Sequence, residues 1–450
     1  MKTASILLAA GQGTRMRSKT PKVLHPVVGR PMIFYTLEAL QGLVDLPPVL
    51  VIGHGAEAVQ QAVQSAGFVV QFAFQAQQLG TGHAVSCARE LLAGQAERIL
   101  VTCADMPLLQ AETLRSLIAL HEQSGEVMTM TSVIGEVPRG FGRVLRDAQG
   151  GVRAIVEEAD ATPEQLAIRE YNVSAYCFDA AWLWENLSQI QLSAKNEYYL
   201  TDLVEIAIQQ GHKIESLVVP DPAEALGINT RIDLAAAELA MRARINQRWM
   251  LAGVTLLDPA TIIIEPDVTI GQDTILYPNT ALRGSTHIGE DCQIGPNTTL
   301  VETEVGNASL IRDSVAEYAR VGNRVTIGPF CHLRKGAELM DDVHMGNFGE
   351  VKSSTLGENV KMGHFSYIGD AKIGANVNIG AGTITCNFDG EKKNSTEIGE
   401  GAFIGSDTML VAPLKIGKHA KTGAGSVVTH DVPDGALVLG VPAREVKKKK

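Results

Sequence analysis

The sequence predicts two folds in one chain: an α/β domain built on a parallel sheet, then an all-β parallel β-helix, with one long helix between them. Three observations carry this. Apolar strand-like segments alternate with amphipathic helical ones from Ala4 to Asn229, the pattern of a sheet covered on both faces by helices. Residues 232–250 hold neither glycine nor proline. From Val254 onward an aliphatic residue followed by glycine returns in steps of six, as in Ile288-Gly289 and Ile294-Gly295, or Leu356-Gly357, Met362-Gly363 and Ile368-Gly369. The expected divisions are 1–231, 232–252 and 253–450.

A chain of 450 residues is too long for one ordinary core. Apolar content of 45% and charged content of 20% fit a soluble globular protein, and a net charge of −11 argues against a general nucleic-acid surface. Lys447 to Lys450 form a local basic run that reads as a solvated tail. The six cysteines are scattered without a CxxC pair, which gives neither a zinc site nor a disulfide framework and suits a reducing cytoplasm. No stretch reaches transmembrane length.

The first strand, Ala4 to Ala10, runs into LAAGQGTRM (Leu8 to Met16), followed by Pro21 and Lys22. Glycines after a strand let backbone N–H groups approach phosphate, and Arg15 and Lys22 add positive charge. This is neither a P-loop nor a dinucleotide fingerprint. A helix over Pro31–Leu43, a strand over Val49–Ile52 and a helix over Glu57–Ala66 follow. A strand over Phe68–Phe74 leads to a second glycine turn, QQLGTGHA (Gln77 to Ala84), and a helix to Leu92. Ile99–Thr102 is a strand ending in Cys103-Ala104-Asp105-Met106-Pro107.

Ligands of such sheets sit beyond the carboxyl ends of the strands, where Gly11, Gly80 and Asp105 all fall. Asp105 is placed to hold Mg²⁺ with triphosphate oxygens; its alternative is an N-cap for a helix over Leu109–His121. His83 reads as a hydrogen-bonded spacer. Gly140-Phe141-Gly142-Arg143 looks like a hairpin or bulge. Glu157 and Glu158 would point to opposite faces of the next strand. Asn172 lies in an extended stretch, and Thr201 or Asp202 is a capping candidate for the following helix.

LAAGQGTRM with Pro21-Lys22, the QQLGTGHA turn, Asp105, FGR, Glu157, EYYLTD (Glu197 to Asp202) and Asn229 together resemble the sugar-nucleotide pyrophosphorylases. The resemblance implies a Rossmann-like nucleotidyltransferase domain that moves a nucleotidyl group from a triphosphate to a sugar 1-phosphate. It implies Mg²⁺ on Asp105 and Asn229, phosphates on Lys22 and Arg15, and a uridine pocket of Leu8, Ala9, Ala10, Gly11, Gln75, Gly80 and Thr81. Gly142, Glu157 and Asn172 would contact an amino sugar.

The long helix, Ile232 to Met250, carries an apolar stripe of Met241, Ile245 and Trp249, with Glu238 and Arg242 as an i, i+4 pair. Beyond it, three hexads make one coil, so the repeat region yields roughly ten coils. Each aliphatic residue fills the interior and each glycine helps turn a corner. Two places break the grid. CNFDGEKKNST (Cys386 to Thr396) reads as a loop thrown out of the coil. His364 follows the corner glycine Gly363 and should not face the core. Arg334, Lys352, His364 and Tyr367 are expected to stack as one polar stripe, suited to a phosphorylated amine and a base that deprotonates it.

The repeat resembles the hexapeptide acyltransferases, which implies a left-handed coil and homotrimers with sites between subunits. LRKGAEL, HMGNFGEVK, GHFSYIGDA, NIGAGTITCNFDG and IGSDTMLVAP, with the first half, make the chain similar to the family of bifunctional bacterial N-acetylglucosamine-1-phosphate uridyltransferase/glucosamine-1-phosphate acetyltransferases. This implies His364 as base and acetyl-CoA and UTP as cosubstrates. It implies Arg334 and Lys352 on the sugar phosphate, and Tyr367, Asn378, Asn387 and Lys393 around the sugar. Ala381, Ser406 and Ala424 would line the coenzyme A groove, with Asn387 and Phe388 at its edge. The sequence departs from that family at Phe388 and Phe141, each lacking a tyrosine hydroxyl, and near Val441-Pro442, where Arg444 is the available arginine.

Two rivals remain at this stage. A single-activity nucleotidyltransferase whose β-helix only oligomerises would not require His364 or the polar loop. A non-catalytic scaffold would expect a degraded phosphate loop or Asp105, and both are intact.

Overall fold

The computed structural model describes residues 1–135, 140–158, 160–193 and 195–446; the lysine run 447–450 lies outside them. The chain divides into two compact units, Met1–Met241 and Arg242–Lys450. The division falls within the long helix, which spans Arg231–Leu251.

The first unit holds strands β1 (Thr3–Leu8), β2 (Val49–Ile52), β3 (Gln71–Phe74), β4 (Arg98–Cys103), β5 (Met128–Ile134), β6 (Arg143–Arg146), β7 (Val152–Val156), β8 (Glu170–Asp179) and β9 (Glu215–Val218). The main path runs β9-β5-β8-β4-β1-β2-β3. Strands β4, β1, β2 and β3 are parallel, as the alternating pattern predicts. The expectation of a wholly parallel sheet is corrected at β8, which is antiparallel to both β4 and β5. The chain reaches β8 through the β6–β7 hairpin rather than a helical crossover, and antiparallel pairing needs no crossover. That hairpin turns at 147–151, where the Asp147 carboxylate accepts from Gln149 and Gly151 N–H. Gly140-Phe141-Gly142 instead leads into β6.

Register fixes where the strands end. Leu8 lies opposite both Val51 and Cys103, and Ile52 opposite Phe74. The segments after β1, β2, β3 and β4 therefore leave the sheet along one edge. Below them Ile6, Val49, Val51, Ile99 and Val101 are fully buried, so burial of these β-branched side chains holds the edge level. The helix after β4 begins at Ala111, with Gln110 at its N-cap position. This excludes the capping alternative for Asp105.

In the second unit, three sheets of twelve, ten and nine strands stack among the described residues. The ten-stranded one agrees with the ten coils expected. Successive strands visit a first, second and third face in turn. Leu333, Met345, Met362 and Ile368 are completely buried, as the repeat predicts.

The glycines act differently from expectation. A Cβ on Gly289 would lie 2.8 Å from the Asn307 backbone nitrogen, and one on Gly374 2.7 Å from that of Glu400. The next coil leaves no room for a side chain there. The corner is turned two residues later, where Asp291, Asn297, Asn359, Asn376 and Asp407 have φ between 49 and 60°, a region Asp and Asn tolerate through local hydrogen bonding.

Candidate functional sites

At the sheet edge of the first unit, four separate segments converge. The Lys22 ammonium pairs with the Asp105 carboxylate and lies 3.3 Å from Asn229 Oδ1. Arg15 Nη2 donates to the same Asn229 oxygen at 2.9 Å. The sequence named these four residues separately, and the fold brings them together. A carboxylate and an amide oxygen converging on one cation are the hard-oxygen donors magnesium takes when phosphates and water complete its shell. Among the described residues no cluster of three His, Cys, Asp or Glu side chains could hold a metal.

Ala9 and Ala10 are buried and Gly11 is exposed. A Cβ on Gly11 would meet nothing within 4 Å, so the loop faces open space. Sequence reading placed Gly53-His54-Gly55 at the end of β2 but gave this turn no role. His54 N–H donates to the Ala10 carbonyl at 3.4 Å, and a Cβ on Gly55 would press on Pro21 Cγ at 2.6 Å. This turn braces both ends of the phosphate loop. A GxG at a strand end was the available signal.

Beyond β3, Gln75 is buried, and its Nε2 donates to the Gly80 carbonyl and to His83 Nδ1, both at 3.1 Å. His83 is thus the hydrogen-bonded spacer expected. The EYYLTD segment clamps this turn: Gly82 N–H donates to the Tyr198 carbonyl at 2.8 Å, and Thr81 Oγ1 accepts from Leu200 N–H at 2.9 Å. Gly80 has φ +96°, and a Cβ there would sit 2.6 Å from the Tyr198 carbonyl oxygen. Gly80→Ala should therefore cost about 1–3 kcal/mol locally. It should raise KM for the nucleotide about tenfold or more, read from initial-rate kinetics; an unchanged KM would show that the turn does not shape the pocket.

Gly142, Glu157 and Asn172 also come together. Asn172 N–H donates to the Gly142 carbonyl at 2.9 Å, and a Cβ on Gly142 would lie 3.5 Å from Glu157 Oε1. Asn172 sits at a register shift in β8 and donates to the buried Tyr176 hydroxyl at 2.5 Å. Thr201 stands at the N-cap position of the helix Asp202–Gln209, as expected, but its side chain makes no capping bond; its hydroxyl donates instead to Glu157 at 3.3 Å.

Burial pushes Glu157 upward, and burial, Glu205 and Asp160 raise Asp202 to about 6. An acid whose folded pKa is raised holds its proton longer in the native state, so its stability cost is absent below the unfolded value near 4 and complete above about 6. Asp202→Asn should raise the thermal midpoint at pH 7 by about 1–3 °C and leave it unchanged at pH 4. Equal shifts at both pH values would assign the effect to something other than ionisation.

In the second unit, the expected single stripe resolves into three columns. Strand register pairs Leu333 with Val351 and Lys352 with Gly369, so Arg334 and Lys352 stack as predicted. Tyr367 instead lies opposite Glu350, which lies opposite His332. His364 stands at the preceding corner, exposed as expected.

The physical reason is coil geometry: positions three residues apart lie at opposite ends of one short strand. Met362 pairs with Ile379, which pairs with Ile404, and Phe403 with Lys421. Carried two residues on, this register stacks His364, Ala381, Ser406 and Ala424 on successive coils. Backbone bonds run down the column, from Asp407 N–H to the Ala381 carbonyl at 2.6 Å and from Gly425 N–H to the Ser406 carbonyl at 2.8 Å. The column is irregular at its head: Phe330, Phe348, Gly382, Asp407 and Gly425 turn their corners with positive φ, and Phe365 does not.

Arg334 Nη1 pairs with Glu350 at 2.9 Å, a carboxylate the sequence reading did not single out. The loop from Asn387 folds as a small hairpin, with Phe388 bridged to Lys393. The Asp389 carboxylate accepts from Glu391 and Lys392 N–H and from Asn394 Nδ2, which holds it down at about 2. Lys393 reaches Lys352, and this neighbouring charge, with Arg334 further off, pulls the Lys352 ammonium below its ordinary value. Cations gathered against their mutual repulsion mark an anion site. Phe388 is exposed. Asn378 lies on the first face between Lys361 and Phe403, apart from Tyr367 on the second, and Arg444 is on the terminal hairpin opposite Leu439.

Residues 5–173 match the MobA-like NTP transferase domain. Residues 267–301 and 395–430 match the bacterial transferase hexapeptide of six repeats. The chain is 47% identical over 448 residues to the bifunctional protein GlmU of Heliobacterium modesticaldum, covering 99% of this chain and 97% of that one. The chain belongs to the GlmU family. It is also 46% identical to the GlmU protein of Pelobacter propionicus, over 97% and 95% of the two chains, and 45% identical to that of a Geobacillus species, over 100% and 97%.

Membership makes the chain a transferase with a nucleotidyltransferase half and an acyltransferase half. The hexapeptide match identifies the stacked coils as the left-handed parallel β-helix. No helix among the described residues is long and apolar enough to cross a membrane.

Proposed function

We infer that the chain makes UDP-N-acetylglucosamine in two steps: acetyl transfer from acetyl-CoA to glucosamine 1-phosphate in the β-helix, then uridylyl transfer from UTP in the α/β domain. The observation that carries this reading is that each half holds a distinct constellation. One is a pair of oxygens and a pair of cations at a sheet edge. The other is an exposed histidine heading a column of small residues, with a separate cluster of three cations in the same unit. A nucleotidyltransferase with a merely oligomerising β-helix would need neither His364 nor the Lys393 hairpin.

In the β-helix, Arg334, Lys352 and Lys393 take the sugar phosphate, and Tyr367, Asn378 and Asn387 orient the sugar. Ala381, Ser406 and Ala424 leave a bare corner for the coenzyme, with Phe388 and Arg444 at its rim. Neutral His364 accepts the proton of the amine as its nitrogen bonds to the thioester carbon. The C–S bond breaks, and that proton passes to the departing thiolate.

In the α/β domain the sugar phosphate oxygen bonds to the α-phosphorus as the bond to the β-phosphate oxygen breaks, releasing pyrophosphate. Lys22 and Arg15 neutralise charge on the phosphates. Leu8 to Gly11, Gln75, Gly80 and Thr81 hold the nucleoside, and Gly142, Glu157 and Asn172 the acetylated sugar. Asp105 and Asn229 would hold Mg²⁺, which supplies neutralisation of the triphosphate oxygens.

We assign 1–231 to uridylyl transfer, 232–252 to the helical connector and 253–450 to acetyl transfer, and propose a cytoplasmic homotrimer formed through the β-helix. The reading is tested by measuring UTP-dependent pyrophosphate release and acetyl-CoA-dependent thiol release on one preparation. Loss of either signal in the wild type would reduce the chain to one activity.

A further inference from the structure

We propose that Asp370 is a positioning residue for acetyl transfer, holding both ends of the 387–394 hairpin so that Lys393 completes the phosphate socket. This inference rests on the acetyltransferase reading of the β-helix. Asp370 turns the corner after the strand Ser366–Gly369, with φ +50°.

Its carboxylate accepts from the Asn387 amide nitrogen at 2.5 Å, where the hairpin leaves the coil. Its carbonyl accepts from Thr396 N–H at 3.1 Å, where the chain returns. Its own N–H donates to the Lys352 carbonyl at 3.1 Å. One residue thus joins the exit, the return and the lysine beneath.

The side-chain bond also sets the Asn387 amide. A carboxylate can only accept, so the NH₂ group faces Asp370 and Oδ1 is directed elsewhere. Asn387 is buried, at 7% exposure, so this orientation is fixed in a water-poor place where such a bond is strong. Gly369 makes the arrangement possible. A Cβ there would collide with the Tyr367 hydroxyl and lie 2.7 Å from Asn387 Nδ2. Two side chains expected to touch the sugar therefore meet over a bare Cα, next to the residue that aims one of them.

The hairpin is braced internally by the three bonds to Asp389, so its base sets where Lys393 lies. Lys393 and Lys352 repel each other, a push directed away from the coil. Asp370 opposes the push. Without it the socket would be two cations, Arg334 and Lys352, with the third displaced.

The test compares Asp370→Ala and Asp370→Asn in the full-length chain. The carboxamide oxygen of the asparagine can still accept from Asn387, so it should restore function. Asp370→Ala should raise KM for glucosamine 1-phosphate at least tenfold with KM for acetyl-CoA within twofold of wild type, and Asp370→Asn should recover most of the difference. Uridylyl transfer should be unchanged in both.

Asp370→Gly, which suits the φ of +50° at this corner and likewise removes the carboxylate, should give the same selective loss and serves if Asp370→Ala does not fold. Equal rises in both KM values, or no recovery with asparagine, would overturn the positioning role. Absence of thiol release from the wild type would instead remove the acetyltransferase reading itself.

Discussion

Replacing His364 with alanine should lower acetyl-CoA-dependent thiol release by about 10²–10⁴-fold, the usual contribution of a general base. Pyrophosphate release from UTP should stay near the wild-type rate. His364 is exposed at its corner and supports no core packing, so the loss should come without a fall in thermal midpoint. Normal acetylation by the variant would move the base elsewhere.

Replacing Asp105 with alanine should cut uridylyl transfer by about 100-fold or more, the scale of removing one preorganised electrostatic group from a reacting centre, and leave thiol release intact. Two effects combine. The pair of oxygens fit for Mg²⁺ loses its charged member, and Lys22 loses its carboxylate partner. Magnesium dependence separates them: raising Mg²⁺ should recover part of the rate if metal affinity is the main loss. Calorimetric titration of Mg²⁺ into the nucleotide-bound variant should show weakened binding. A variant with wild-type metal affinity and rate would exclude Asp105 from the site.

Both architectures, and the residues of each candidate site, were legible in the residue pattern. Six-residue periodicity can be satisfied only by stacked coils, because each aliphatic residue has to face one interior, and Met362 and Ile368 do so. Strand–helix alternation likewise placed Gly11, Gly80 and Asp105 at strand ends, since a buried apolar strand must end where polar residues begin. Tertiary structure alone decided what spans distance. The antiparallel course of β8 depends on a hairpin whose signal is local and weak. The meeting of Asn229 with Lys22 and Arg15 joins residues more than two hundred positions apart.

In the β-helix, periodicity fixed which residues face outward but not which corner each occupies. Coils shorten to 17 residues in places, as between Met362 and Ile379, and a hairpin intervenes after Asn387. One or two residues of drift carry a side chain from one end of a face to the other. That is why Arg334 stacked with Lys352 as expected while His364 and Tyr367 fell into columns of their own. It is also why the role of Asp370, defined by bonds to residues 17 and 26 positions further on, became visible only once the coils were stacked.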